Sequence, residues 1–169
     1  MDFFDIIHTR RSIRKFSPEP VPSADIEKIL RAGMVSPTAT NSQSWRFVVI
    51  DDRNILDTIP QIHPYAKSVS DAAVAIVVCG DTEAGRAPGF WPQDAAAATQ
   101  TMMLAARALG LGSLWCGIHP NQDREIAFSN LLGLPSNIRP FALLILGYAL
   151  QPFTREDRFD ESKVHHNHW

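Results

Sequence analysis

From Ala72 to Gly80 the chain reads AAVAIVVCG, an unbroken run without a polar side chain. A strand with one wet face alternates polar and apolar residues. This run offers no wet face and predicts a buried strand closed by Gly80, with Asp71 and Asp81 at its ends. RPFALLILGYA, from Arg139 to Ala149, predicts the last core strand, and RFVVID a further buried strand ended by Asp51 and Asp52. GSLWCG, from Gly112 to Gly117, reads as a short strand or tight loop.

Helical patterns separate these strands. Asp2 caps a first short helix whose apolar face is Phe3, Phe4, Ile6 and Ile7, and the prolines of SPEPVP break it. A second helix runs from about Ser23 to Ala32, with Ile26, Ile29, Leu30 and Met34 at helical spacing and Gly33 as its stop. A short helix covers Ile55 to Ile59. The segment from Gln93 to Leu109 is alanine-rich and stopped by Gly110. Its small side chains let another backbone come close, which places it centrally. Asn121 caps a last helix that ends at Gly133 and Pro135. Strands alternate with helices, so the class is mixed α and β. No repeat, low-complexity tract or composition break divides the 169 residues, and a single domain over 1–169 is expected.

The formal net charge is -2, without the basic surplus of a nucleic-acid binder. No apolar run approaches the ~20 residues that span a bilayer. MDFFDIIHTRR opens acidic and does not read as a signal peptide. Cys79 and Cys116 lie in apolar runs and imply no disulfide framework. These features predict a soluble, cytoplasmic protein without nucleic-acid or membrane partners.

Against this near-neutral background, HTRRSIRKFSPEPV places Arg10, Arg11, Arg14 and Lys15 within six residues, with Ser12 among them. Arginine forks match phosphate oxygens bidentately and serine adds a hydroxyl donor, so the stretch reads as an anion cradle. The alternative is a solvated helix end, where cations favour the dipole. SPTATNSQSW carries Asn41 and Gln43 two apart. Amides both donate and accept, which suits the edge of a heteroaromatic ring such as a flavin pyrimidine, or simply a polar loop. The glycines of LGLGSLWCG follow a helix and lack dinucleotide-fingerprint spacing, leaving a turn where a ligand can approach the backbone. HHNHW matches no tight zinc spacing, and no metal is expected. No G-x-S-x-G elbow, carboxylate pair or H-E-x-x-H motif is present.

Taken in order, RRSIRKF, SPTATNSQSWRF, LGLGSLWCG and LGYA…REDRFDESKVH resemble the flavin-dependent nitroreductase family over nearly the whole chain, from Arg10 to Trp169. The resemblance implies an α+β fold: a mixed, mostly antiparallel sheet flanked by helices, in an intertwined homodimer with two FMN sites at the subunit interface. It assigns flavin contacts to Arg10, Ser12 and Arg14, with Arg11 beside them. It adds Pro37, Thr38, Asn41 and Gln43 from the second motif and Trp115, Cys116 and Gly117 from the third. Arg158 matches a phosphate contact, with Arg155 as its substitute. Thr38 stands where the family has serine and Ser44 where it has proline, a change expected to loosen the loop. By this resemblance the protein is a flavoprotein oxidoreductase that uses NADH or NADPH to reduce a nitroaromatic or quinone. Arg14 is the residue expected to stabilise charge on the reduced ring. An enone, a halogenated aromatic or dioxygen as oxidant, or flavin binding without catalysis, stay open as alternatives.

Overall fold

A computed structural model describes residues 1–169. Four strands, β1 (Trp45–Ile50), β2 (Val74–Asp81), β3 (Gly112–Gly117) and β4 (Ile138–Gly147), form one sheet in the order β1-β2-β4-β3. Every strand pair is antiparallel, and the single parallel pairing is an isolated bridge between Ser12 and Ser113. Five helices accompany the sheet: α1 (Phe3–Thr9), α2 (Ser23–Met34), α3 (Arg53–Ile62), α4 (Trp91–Ala108) and α5 (Gln122–Leu132).

The continuous apolar runs are explained by two cores. Along β2, Ala75, Val77 and Cys79 enter one cluster with Leu56 and Ile59 of α3 and Phe128 of α5. Val74, Ile76 and Val78 enter the other with Ile29 of α2 and Ala95, Met102 and Ala106 of α4. Successive side chains of a strand point to opposite faces. A strand covered by helices on both sides therefore has no position where a polar side chain is free. Each fully buried Val, Leu or Ile contributes about 1.5–3 kcal/mol.

Two expectations change. Gly33 does not end α2, which continues to Met34. It is buried at the crossing with α4, where a Cβ would lie 2.8 Å from Met102 Cγ. The glycine is used for close approach instead of termination. The third helix is longer than the Ile55–Ile59 stretch, because Asp52 caps it by accepting from the Asn54 N–H at 2.8 Å.

α1 is capped by Asp2 as expected, but none of its residues is buried, and Phe3 and Phe4 are 62% and 66% exposed. After β4 the chain runs without strand or helix to its end, apart from one turn at Glu161–Lys163. No helix is long and apolar enough to cross a membrane.

Candidate active site

The arginine segment leaves α1 in an extended conformation at Arg10 and runs beside the edge strand β3. The Ile13 N–H donates to the Ser113 carbonyl at 2.9 Å. Ile13 and Phe16 are buried and anchor the segment. Gly112 admits it, since a Cβ there would sit 2.9 Å from Ile13. Gln151 clamps it from the C-terminal tail, its Oε1 accepting from the Arg14 N–H at 2.8 Å.

Arg10, Arg11, Ser12, Arg14 and Arg158 come together around one cavity of about 450 Å³. Their side chains are not equivalent. Arg11 donates to the His8 carbonyl at 2.9 Å and pairs with Glu156 at 3.1 Å. Arg158 pairs with the same Glu156. Arg155 is drawn off to Asp5 at 2.7 Å and does not line the cavity. The guanidiniums of Arg10 and Arg14 have no carboxylate or carbonyl partner. Burial pushes the Arg10 pKa down, and the like charges of Arg11 and Arg158 push the same way. The cavity therefore holds unbalanced positive charge.

The end of β3 lies beside this cradle. Ser113 turns its carbonyl to the free edge, and by the alternation of an antiparallel ladder Trp115 and Gly117 do the same. The Gly117 carbonyl is already taken. It accepts from His63 Nε2 at 2.9 Å and from Arg124 Nη1 at 3.0 Å. Gly117 itself is exposed, and a Cβ on it would meet nothing within 4 Å. Cys116 points into the core. Burial pushes its thiol up to about 11, against the pull of Arg14 and Arg124. It is a protonated thiol at neutral pH, not a nucleophile.

The amide-bearing loop lies apart from the cradle. Pro37 and Thr38 border a second cavity, of about 320 Å³, with Phe90 and Asp94. Its lining shares no residue with the arginine cavity. Asn41 and Gln43 are exposed, and both hold positive φ, 54° and 49°. The loop is not loosened at Ser44. That hydroxyl is buried and donates to Asp94 at 2.7 Å. His165 stacks on Trp169 in the C-terminal tail, and no group of His, Cys, Asp or Glu is arranged to hold a metal ion.

The family model described as "Nitroreductase family" matches residues 7–73 and 63–148. A protein of Methanothermobacter thermautotrophicus, provisionally named an NADH dehydrogenase/NAD(P)H nitroreductase, is 44% identical over 170 residues, covering 100% of this chain and 88% of the relative. Among solved structures, an FMN-dependent nitroreductase from Clostridium difficile superposes with a TM-score of 0.91 at 27% identity, covering 98% of this chain and 99% of that one. A provisionally named nitroreductase from Desulfovibrio desulfuricans, solved in complex with FMN, gives a TM-score of 0.85 at 30% identity, covering 100% and 98%. The chain belongs to the nitroreductase family.

Proposed function

We propose that residues 1–169 form a single FMN-binding domain, and that the protein is an oxidoreductase taking electrons from NADH or NADPH and passing them to a small organic oxidant such as a nitroaromatic or quinone. The observation that carries this reading is the pair of unpartnered guanidiniums, Arg10 and Arg14, in a cavity beside the free edge of β3. A phosphate dianion is the complement of that charge, and arginine binds it bidentately. The FMN-bound relative and the NAD(P)H names of others support the same assignment.

Arg10 and Arg158, with the Ser12 hydroxyl, would hold the phosphate, and Arg11 would hold Glu156 in place behind them. FMN, when bound, supplies the hydride-accepting and hydride-donating chemistry. Arg14 would set a fixed positive charge where negative charge develops on reduction, which favours the reduced state. The free backbone groups of Trp115, and not the occupied carbonyl of Gly117, would face the ring. Pro37, Thr38, Asn41 and Gln43 would reach the ring from a second copy, since in one chain they border a different cavity. The exposed Phe3 and Phe4 give such a homodimer apolar surface to bury.

The test is a titration of flavin-free protein with FMN, followed by NADH or NADPH without air. One FMN per chain is expected, bleached by the nicotinamide. Arg10→Ala should weaken binding ~10–100-fold, while Arg155→Ala leaves it near wild type. A protein that takes up no FMN would sink the reading, and one that holds FMN but oxidises neither nicotinamide would be a binding module.

A further inference from the structure

Asp94 stands in the first turn of α4, is 4% exposed, and faces no cation. A buried carboxylate is costly unless its oxygens are fully hydrogen-bonded. All three of its donors come from one short loop. The Ala39 N–H donates to Oδ1 at 2.9 Å, and the hydroxyls of Ser42 and Ser44 donate to Oδ2 at 3.1 and 2.7 Å. A small apolar residue at this position of α4 would fill the helix face as well as its alanine neighbours do. What it would not do is hold that loop.

The loop needs holding. Thr40, Asn41 and Gln43 all have positive φ, at 55°, 54° and 49°. Residues other than glycine persist there only when their surroundings over-determine them. The loop's own bonds are few: Asn41 N–H to the Thr38 carbonyl, Ser42 N–H to the Ala39 carbonyl, Gln43 N–H to the Thr38 hydroxyl, and a long bond of 3.4 Å from Gln43 Nε2 to Asn41 Oδ1. Gly85 backs the loop from the other side, since a Cβ there would lie 2.5 Å from the Ser42 Cβ. α4 is the fixed post, because Ala95 and Ala98 beside Asp94 are fully buried.

We propose that Asp94 is a positioning residue for the cofactor: its carboxylate ties Ala39, Ser42 and Ser44 into one clasp that fixes the outward, left-handed geometry of Asn41 and Gln43. Ser44 stands where the family pattern has proline. The hydroxyl bond to Asp94 supplies by attraction the stiffness that a proline ring would supply covalently. This rests on the proposal that the loop meets FMN.

Two measurements on the full-length chain separate the parts. In flavin-free Asp94→Asn, the backbone amides from Ala39 to Ser44 should exchange with solvent about tenfold faster, because an amide has one acceptor oxygen and must turn its NH2 donor either to the Ala39 N–H or to the two hydroxyls. FMN affinity should fall about tenfold, and the visible circular dichroism of bound FMN should change at temperatures where the variant is fully folded. Ser44→Ala, which keeps the carboxylate, is the milder second variant if Asp94→Asn does not fold. It should show the same changes at about threefold, and Ser44→Thr, which restores a hydroxyl, should return towards wild type. Unchanged exchange in the loop overturns the clasp. Faster exchange with unchanged FMN affinity and dichroism overturns the link to the cofactor. If wild type itself takes up no FMN, the functional reading fails and the cofactor half of this proposal fails with it, while the exchange data still decide whether Asp94 holds the loop.

Discussion

His63 is 1% exposed at the C-terminus of α3, donates through Nε2 to the Gly117 carbonyl, and leaves Nδ1 buried without a partner. A second proton on this ring would have no acceptor. Burial accordingly pushes the His63 pKa below its ordinary 6.5, with Arg124 adding to the shift and the Gly117 bond opposing it. A depressed pKa means the unfolded chain binds the proton more readily. The stabilisation is then complete above the unfolded value and is lost as pH falls through the folded one. Wild-type Tm should drop on acidification below about pH 6.5, and His63→Gln, which keeps a donor but cannot titrate, should show a flatter profile over that window. A profile equally steep in the variant would locate the acid sensitivity elsewhere. The sequence pointed to Arg10, Ser12 and Arg14 because their meaning is local: cations and a hydroxyl packed into a few residues. His63, Arg124 and Asp94 had no such signal. His63 lies 54 positions before the carbonyl it holds, and Asp94 lies 50 after Ser44, so each is defined only by the fold.

At the scale of elements, the glycine between α2 and α4 is the clearest case of a correct residue with the wrong role. A glycine after a helical run is more often a stop, yet here the run continues and the missing side chain lets the two helices close. Replacing Gly33 with alanine sets two effects against each other. Helix propensity favours alanine by about 1 kcal/mol. The added methyl would sit 2.8 Å from Met102 Cγ and Sδ and 3.3 Å from Phe47, and overpacking costs about 1–3 kcal/mol. Net destabilisation of about 1 kcal/mol is expected by chemical denaturation. In a Met102→Ala background the sign should reverse, because the 2.8 Å clash is gone, the Phe47 ring tip at 3.3 Å needs to give by only a few tenths of an ångström, and the propensity remains. Failure to reverse would mean that the crossing is not what the glycine serves. The strands were easier to read than the helix ends. β2 and β4 are covered on both faces, which writes an uninterrupted apolar run, and Asn121 and Gly133 cap α5 with the residue types their geometry requires. The loop from Pro37 to Ser44 was legible as a loop but not in its conformation. Its own serines and Thr38 supply the bonding groups, but the acceptor that gathers Ala39, Ser42 and Ser44 is a carboxylate on α4, 50 positions after Ser44.

The whole molecule leaves one chain with two separate cavities. Arg14 borders the arginine cavity, while Pro37 and Thr38 border the other, and Asn41 follows on the same loop. Both Arg14 and Asn41 are exposed in the single chain, as are Phe3 and Phe4 of α1. If the proposed homodimer brings the cradle of one copy to the loop of the other, a two-fold axis makes two equivalent composite sites. Two inactive variants then complement each other. One carries Arg14→Ala, the other Asn41→Ala, and the two are unfolded and refolded together in equal amounts. Random pairing makes about half of the dimers mixed, by the counting of a two-fold assembly. In a mixed dimer one site collects both lesions and the other collects neither. About a quarter of all sites should therefore regain wild-type turnover of NAD(P)H, against almost none when either variant is refolded alone. Affinity tags on the two variants allow the mixed dimers to be isolated, where the recovered share should rise to about half of the sites. If Arg14 and Asn41 serve one site from the same chain, mixing returns no activity, since every site then carries a lesion of its own.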